Sequence, residues 1–278
     1  MKLLSGKPIS DEIEAQCIED VKRLKENKGM VPSLRVLQYG DDAASKRYVS
    51  RIEKNCEKIG IDFEYKIFSD DEEAFIKCLK DANESDEITS IMVQQPLPSS
   101  LKYTIEMINP DKDIEGITSA SLGKLFAGYK SLVPCTAQAV IEIIDYYDID
   151  VEGMDVVVIG RSNIVGKPAS ILLQKKNATV TMCHSRTKNL EEKLKNSDLV
   201  VAATGRAGLI DGSILSEDTI VIDVGTNFVD GKLVGDVDFD SAKEVASQIT
   251  PVPGGVGTVT NKLLMRNIVE SFKNIHNN

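Results

Sequence analysis

The chain has 278 residues, 42% of them hydrophobic and 27% charged, which predicts a soluble globular protein with room for two domains. Its net charge of −10 argues against nucleic acid or an anionic membrane as the main partner. No apolar run is long enough to span a membrane, and the polar, acidic start is unlike a secretory signal. Five cysteines without C-x-x-C spacing predict reduced thiols in a cytoplasm, and two histidines predict no multi-histidine metal site.

The first half of the chain alternates between predicted helices and predicted strands. An apolar stripe of Ile13, Cys17, Val21 and Leu24 predicts the first helix. Such alternation predicts a mostly parallel sheet covered by helices. The helices are predicted at residues 9–25, 43–60 and 72–83, and the strands at residues 34–39, 63–68 and 90–94.

The second half begins after a predicted helix at residues 134–147 that joins the two halves. Its first strand is almost continuously apolar and is followed at once by a glycine, as in Rossmann-like units. The fold class is therefore predicted as α/β with two domains. The strands are predicted at residues 155–159, 178–182, 199–203 and 219–223, with helices at 167–175 and, after a glycine-rich loop, at 261–275.

The loop after the first of these strands contains Gly160, Arg161, Ser162, Val165 and Gly166. A strand, a glycine-containing loop and a helix in this order form the usual phosphate-binding context of a dinucleotide. The match to G-x-G-x-x-G is imperfect, because Ser162 replaces the middle glycine and Gly166 comes one residue late. A tight turn without a ligand is the alternative interpretation.

The end of the next strand indicates which dinucleotide binds. An acidic residue usually binds the ribose hydroxyl of NAD there, but this chain has Ser185 and Arg186. A hydroxyl and a guanidinium suit the 2′-phosphate of NADP, and Arg161 supplies a second guanidinium. The alternative is that Arg186 is merely solvated, and His184 is predicted to be structural.

Polar residues also follow the last two strands of this half. Thr204 and Gly205 come after one strand, and Thr226 comes after the next. Nucleotides bind at the carboxyl ends of the strands in open α/β sheets. These three residues are therefore added to the predicted cofactor site.

Several ordered motifs carry a resemblance that covers almost the whole chain. They lie at residues 40–45, 48–49, 94–98, 110–116, 134–136, 160–162, 165–168, 183–185 and, most specifically, 251–257 (PVPGGVG). With these motifs the chain resembles the bifunctional methylenetetrahydrofolate dehydrogenase/methenyltetrahydrofolate cyclohydrolase family of the bacterial FolD type.

The resemblance implies the domains, the site and the assembly. A folate-binding catalytic domain would comprise residues 1–140 with the last helix, 259–278, and an NADP-binding domain would comprise 141–258. A tetrahydrofolate one-carbon substrate would lie in the cleft between them, and the protein would form a homodimer through its nucleotide domains. The implied catalytic residues, which also bind substrate, are Tyr48, Gln94 and Asp113, and the further substrate-binding residues are Glu115, Pro253, Gly254 and Gly255.

Position 52 is the most informative departure from the family. The family places a lysine four residues after the tyrosine, one helical turn away, whereas this chain has Ile52. Hydride transfer requires alignment of the reactants, but opening the methenyl bridge with water requires proton transfers that a titratable group speeds by roughly 10²–10⁴-fold. Isoleucine cannot carry a proton. We therefore expect methylenetetrahydrofolate oxidation with NADP, and cyclohydrolase activity lost or strongly reduced.

Three alternatives to this interpretation remain at the level of sequence. The protein could be an ordinary bifunctional enzyme in which Ile52 is plain core and another base serves hydrolysis. It could be a nucleotide-binding module without catalysis, although Tyr48, Gln94 and Asp113 argue against that. It could also be a Rossmann oxidoreductase acting on another acid, of the shikimate type, which leaves the match of both halves unexplained. The family also has aspartate where this chain has Glu115, which could shift the pterin contact.

Overall fold

The computed structural model describes residues 1–276, which form two compact units. The strands in this range are β1 (Lys2–Leu3), β2 (Ser33–Tyr39), β3 (Asp62–Phe68), β4 (Ser90–Val93), β5 (Asp155–Ile159), β6 (Thr179–Cys183), β7 (Leu199–Ala202), β8 (Ile220–Asp223), β9 (Asn227–Val229), β10 (Lys232–Val234) and β11 (Gln248–Ile249). The helices are α1 (Lys7–Lys28), α2 (Ala43–Ile59), α3 (Glu72–Glu84), α4 (Ser119–Ala127), α5 (Cys135–Tyr146), α6 (Gly166–Lys175), α7 (Leu190–Lys195), α8 (Phe239–Ala242) and α9 (Val256–His276).

The first unit comprises Glu12–Val133 and the chain from Lys262 onward. Its three-stranded sheet has the order β3-β2-β4, and both strand pairs are parallel. A core cluster that includes Leu37, Phe75 and Leu79 packs α3 against this sheet. The α/β architecture predicted for the first half is therefore confirmed.

Helix α2 carries Tyr48, one of the predicted substrate residues, and its ends are defined by local chemistry. The Asp42 side chain accepts hydrogen bonds from the backbone N–H groups of Ala44 and Ser45, as an N-cap does. Gly60 ends the helix with φ of 88°, a conformation that glycine adopts without strain.

The second unit comprises Met1–Asp11 and Pro134–Asn261. Its six-stranded sheet has the order β1-β11-β8-β7-β5-β6, and every neighbouring pair is parallel. The chain runs from β5 outward to β6 and then returns past β5 to β7. The connections therefore diverge between β5 and β7, and this switch point leaves a crevice at the carboxyl ends of the strands.

The observed units differ from the predicted boundaries at three places. Residues 1–11 lie with the second unit, because Lys2 and Leu3 pair with Gln248 and Ile249. Helix α5 also lies there, and it packs against α6. The division near the carboxyl end falls within α9, after Asn261.

The last helix begins five residues earlier than the sequence pattern predicted. It starts at Val256, directly after Gly255, and contains Gly257 in its first turn. A glycine in a helix costs only about 1 kcal/mol relative to alanine, so it weakens a helix without preventing it. None of the helices within residues 1–276 is long and apolar enough to cross a membrane.

Candidate functional site

The loop after β5 is closed by two glycines that the surrounding backbone requires. Gly160 has φ of 132°, and a Cβ atom there would lie 2.2 Å from the Ala203 carbonyl oxygen. A Cβ atom on Gly166 would lie 2.1 Å from the Gly160 carbonyl oxygen. The backbone therefore approaches itself too closely for any side chain, and the start of α6 is held directly over the end of β5.

This loop presents backbone donors to any ligand above it. The N–H groups of residues 161–164 donate no hydrogen bond within the described chain, whereas Val165 N–H donates to Ser162 Oγ at 3.1 Å. Helix α6 begins at Gly166 without a side-chain cap. Free N–H groups at the positive end of a helix attract phosphate, so the loop fits the pyrophosphate of a dinucleotide.

The end of β6 adds charged and hydroxyl groups at the same edge of the sheet. Ser185 and Arg186 are exposed, as is Arg161, and neither arginine forms an ion pair with another residue in the range 1–276. Their guanidinium groups are therefore available for a phosphate. His184 accepts the Arg186 N–H at 3.1 Å through Nδ1, so it fixes this turn.

The loops after β7 and β8 are joined by a carboxylate that the sequence reasoning missed. The carboxylate of Asp236, which is fully buried, accepts hydrogen bonds from the backbone N–H groups of Thr204 and Gly205. It also accepts one from Asn227 Nδ2 at 2.8 Å. The predicted cofactor contacts of Thr204 and Gly205 thus cannot use these N–H groups. Thr226 is exposed in the β8 loop.

A second buried carboxylate, that of Asp223 at the end of β8, anchors the same region. Its two oxygens accept hydrogen bonds from the N–H groups of Gly225, Asp236 and Val237 at 2.8–3.0 Å. Burial, opposed by these hydrogen bonds and reinforced by the charge of Asp236, raises the pKa of Asp223 to about 6. Gly225-Thr226-Asn227 and Gly235-Asp236 were the available sequence signal.

In the other unit, a hydrogen bond links the helix that carries Tyr48, α2, to the segment after β4. Ser45 Oγ in the first turn of α2 donates to the Gln95 carbonyl at 3.4 Å. Gln94 is buried directly after β4, and its backbone N–H donates to the Leu37 carbonyl at 2.8 Å. Tyr48 is half-buried one turn after Ser45. The start of the helix that carries Tyr48 therefore lies beside the residue that follows Gln94.

Ile52 lies in the buried stripe of α2 and is 3% exposed. Its stripe neighbours are Val49 and Cys56, so position 52 offers only apolar surface. The nearest cation along the helix is Arg51, whose Cζ lies 5.9 Å from the centroid of the Tyr48 ring. A guanidinium with a pKa above 12 is a poor proton acceptor.

Asp113 and Glu115 occupy the same loop but differ in environment. Asp113 is 1% exposed, and its Oδ2 accepts hydrogen bonds from Thr118 N–H at 2.9 Å and Ser121 Oγ at 2.8 Å. It therefore fixes the start of α4. Glu115 is half-buried, and desolvation together with the negative charge of Asp113 raises the pKa of its carboxyl to about 8. Both effects favour the protonated form of Glu115, which can donate a hydrogen bond.

The predicted substrate residues Pro253, Gly254 and Gly255 belong to the second unit rather than to the unit of Tyr48 and Gln94. Gly254 has φ of 107°, and its carbonyl accepts the Gly6 N–H at 2.8 Å. A Cβ atom on Gly255 would lie 2.5 Å from the Pro251 carbonyl oxygen. The backbone of this loop, which leads into α9, is therefore restricted by close contacts at Gly254 and Gly255.

Comparison with known proteins gives the family of both halves. Residues 4–115 match the family described as tetrahydrofolate dehydrogenase/cyclohydrolase, catalytic domain, and residues 134–276 match the NAD(P)-binding domain of the same family. A relative from Dictyoglomus thermophilum, named bifunctional protein FolD, is 44% identical over 275 residues, which cover 98% of this chain and 97% of the relative.

Solved structures agree with this match over the full length. The bifunctional FolD dehydrogenase/cyclohydrolase of Campylobacter jejuni superposes with a TM-score of 0.95 at 38% identity and covers 99% of both chains. The Trypanosoma brucei FolD, solved with NADP cofactor and an inhibitor, gives a TM-score of 0.91 at 34% identity over 98% of this chain and 97% of that one. The chain therefore belongs to the tetrahydrofolate dehydrogenase/cyclohydrolase family and carries both its catalytic and its NAD(P)-binding domain.

Proposed function

We propose that this protein oxidises 5,10-methylenetetrahydrofolate to 5,10-methenyltetrahydrofolate with NADP, and that its cyclohydrolase activity is lost or strongly reduced. Family membership supports the redox reaction and the folate substrate. The apolar surroundings of Ile52 carry the proposal of reduced hydrolysis. The folate-binding role is assigned to the unit of Tyr48 and the cofactor-binding role to the unit of Gly160.

The residues at the carboxyl edge of the six-stranded sheet fit NADP. The N–H groups after Gly160 would hold the pyrophosphate, and Ser185 with Arg186 and Arg161 would hold the 2′-phosphate. When bound, the nicotinamide ring accepts a hydride. The relative from T. brucei was solved with NADP, which supports the same choice here. Because each of the two arginines lacks an ion-pair partner within residues 1–276, a phosphate would not have to displace a carboxylate.

The folate would be held by groups with fixed positions. The Tyr48 ring, which has the Arg51 guanidinium near it, offers an aromatic face. The buried Gln94 offers an amide group at the end of β4. Asp113 is already held by Thr118 and Ser121, so it orders the loop that presents Glu115. A protonated Glu115 would donate a hydrogen bond to an acceptor of the substrate. Alignment of this kind is what hydride transfer requires from the protein.

Hydrolysis makes a different demand on the site. Water that adds to the methenyl carbon must lose a proton, and the nitrogen released by ring opening must gain one. Ile52 supplies neither, and Arg51 is a poor base. Lys112 is also unsuited to serve as the base, because its ammonium already donates hydrogen bonds to the carbonyls of Ala82, Asn83 and Ser85. These observations favour a site that releases methenyltetrahydrofolate.

Two spectroscopic assays on the purified protein test the proposal. The first follows NADPH formation from methylenetetrahydrofolate, with NAD in a parallel reaction, and the second follows the decay of methenyltetrahydrofolate absorbance against a blank without enzyme. We expect faster oxidation with NADP than with NAD, and a decay close to the blank. Rapid decay would favour the ordinary bifunctional enzyme, which the names of the relatives describe. Absence of both activities would favour a non-catalytic module.

We further propose that the protein is a homodimer formed through its nucleotide-binding units. Strand β6 lies at the edge of the six-stranded sheet, and its Met182 is 37% exposed. An open strand edge favours pairing with a second copy. Sedimentation should give a mass near twice 30.4 kDa, and a clean monomer at micromolar concentration would contradict this assignment.

A further inference from the structure

We propose that Asp236 is a positioning residue for the nicotinamide half of NADP, because its one buried carboxylate fixes the loops after both β7 and β8. The inference rests on the proposed use of NADP. It concerns neither the phosphate loop nor the arginines, and it assigns Asp236 no contact with the reacting atoms.

The expected location of the nicotinamide half follows from the order of the strands in the sheet. The candidate 2′-phosphate residues lie after β6, and the candidate pyrophosphate loop lies after β5. A dinucleotide laid across this edge from β6 to β5 places its remaining half over β7 and β8, which follow in the sheet. Thr204 and Thr226 stand in the loops after these two strands.

The contacts of Asp236 explain how the two loops are held together. One carboxylate oxygen accepts both N–H groups of the β7 loop, from Thr204 and from Gly205, the second at 3.0 Å. The other oxygen accepts Asn227 Nδ2 at 2.8 Å, at the start of β9, which follows the β8 loop. A single side chain thus joins two segments that are distant in sequence.

The backbone around Asp236 leaves it no freedom to move away. Its own N–H donates to Asp223 Oδ1 at 3.0 Å. A Cβ atom on Gly225 would lie 2.4 Å from Asp236 Oδ1, and one on Gly235 would lie 1.8 Å from Asp223 Oδ2. The two glycines therefore create the space in which the carboxylates sit. Loops held in this way are ordered before a ligand arrives, which lowers the entropy that binding must remove.

Asp236→Asn tests the inference because asparagine keeps the shape and changes one acceptor into a donor. If the amide oxygen of the new asparagine still accepts the N–H groups of Thr204 and Gly205, its NH₂ group faces the NH₂ group of Asn227. One hydrogen bond is then replaced by a contact between two donors. The double variant Asp236→Asn/Asn227→Asp reverses the polarity of that pair and restores the bond. Its rescue should be partial, because Asn227 Nδ2 also donates to the Gly235 carbonyl at 3.2 Å.

The measurements separate positioning from simple loss of stability. Calorimetric titration with NADP in the absence of folate gives Kd, steady-state assays give kcat and both KM values, and hydrogen exchange follows the backbone of residues 199–206 without ligand. Val200→Ala is the matched control, because Val200 is a buried core residue of β7 whose truncation destabilises the same strand without touching Asp236. Asn227→Ala is a milder second variant if Asp236→Asn does not fold.

We expect Asp236→Asn to weaken NADP about tenfold, the equivalent of one lost hydrogen bond, and to leave the folate KM within about twofold. Exchange at Thr204 and Gly205 should accelerate, and the double variant should recover part of both effects. Val200→Ala should lower the melting temperature and leave Kd unchanged. Asn227→Ala should give a smaller change in the same direction.

Each other outcome overturns the inference. If Asp236→Asn bound NADP as tightly as the parent protein, the positioning role of Asp236 would be refuted, while the use of NADP would stand. The same holds for Asn227→Ala if only that variant folds. If Val200→Ala weakened NADP binding as much as Asp236→Asn does, Asp236 would only stabilise the fold. The same conclusion would follow if Asp236→Asn raised the KM values for NADP and for folate equally. If the parent protein itself failed to bind NADP, the proposed cofactor would be wrong and the inference would fail with it.

Discussion

Replacing Ile52 with lysine is the most direct perturbation of the proposed function. It places an amine one helical turn after Tyr48, at a position that is 3% exposed. Because the neighbours Val49 and Cys56 are apolar and buried, desolvation should depress the pKa of the new lysine. A depressed pKa leaves more of the neutral amine, which is the form that accepts a proton from water.

The size of the effect can be worked from burial. Ile52 contributes about 1.5–3 kcal/mol as a buried side chain, and most of this is lost when lysine replaces it. An unpaired amine adds a desolvation cost of about 1–3 kcal/mol. The melting temperature should fall by roughly 5–15 °C. Hydrolysis should rise at least tenfold, below the roughly 10²–10⁴-fold of a well-placed catalytic group.

The assay compares three proteins at matched concentration: the parent, Ile52→Lys and Ile52→Met. Methionine has a similar volume and carries no proton, so Ile52→Met should change stability by less than about 1.5 kcal/mol and hydrolysis not at all. Decay of methenyltetrahydrofolate is followed at several pH values, and oxidation of methylenetetrahydrofolate reports an intact site. The gain in Ile52→Lys should grow with pH as the amine loses its proton.

The reasoning would be refuted if the parent hydrolysed methenyltetrahydrofolate as fast as it oxidises methylenetetrahydrofolate. It would also be refuted if Ile52→Met gained as much hydrolysis as Ile52→Lys, since the gain would then come from altered packing. A folded Ile52→Lys variant that oxidises normally but gains no hydrolysis would show that an amine at this position is insufficient.

Three further predictions concern the proposed phosphate loop and the loop that contains Glu115. Arg161→Ala should raise the KM for NADP about tenfold or more and leave the KM for NAD nearly unchanged, because a charge-assisted bond contributes about 1.5–3 kcal/mol; equal effects on both would contradict the 2′-phosphate assignment. Gly166→Ala should abolish cofactor binding measured by titration, because the new methyl group would lie 2.1 Å from the Gly160 carbonyl oxygen. The control Gly123→Ala should bind the cofactor normally, because no atom lies within 4 Å of its new methyl group. The pKa of Glu115 is raised from 4.5 to about 8, so stability should decline as pH rises between these two values and level off above 8. Thermal melts of Glu115→Gln should lack that decline. An unchanged pH profile would show that Glu115 does not titrate in this way.

The sequence predicted the elements whose pattern is local. The apolar run before Gly160 predicted β5, and the stripe of α2 was readable because it repeats every three or four residues. The turn between β5 and α6 was predictable despite Ser162, because a strand, a glycine and a helix stood in the right order. These features depend on residues that are neighbours along the chain.

The remainder depends on partners that are distant in sequence. A two-residue strand such as β1 carries no periodicity, and it exists only because β11 lies beside it. Asp236 reads as an ordinary loop aspartate until the fold brings it to Thr204. Helix α4 was missed because Gly123 lies in the middle of its short sequence, although Thr118 caps it. The perturbed pKa of Glu115 likewise comes from burial, which a linear pattern does not reveal.

The pairing of β1 with β11 has a consequence for synthesis of the protein. Translation supplies about 5–20 residues per second, so Lys2 and Leu3 leave the ribosome roughly 10–50 seconds before Gln248 and Ile249 exist. Each unit also needs a segment from beyond the other one, residues 1–11 in one case and the chain from Lys262 in the other. The unit that contains residues 1–11 therefore cannot be completed until the chain has reached Asn261, and the other unit needs residues from Lys262 onward. Until Gln248 and Ile249 are made, β1 remains a strand without a neighbour.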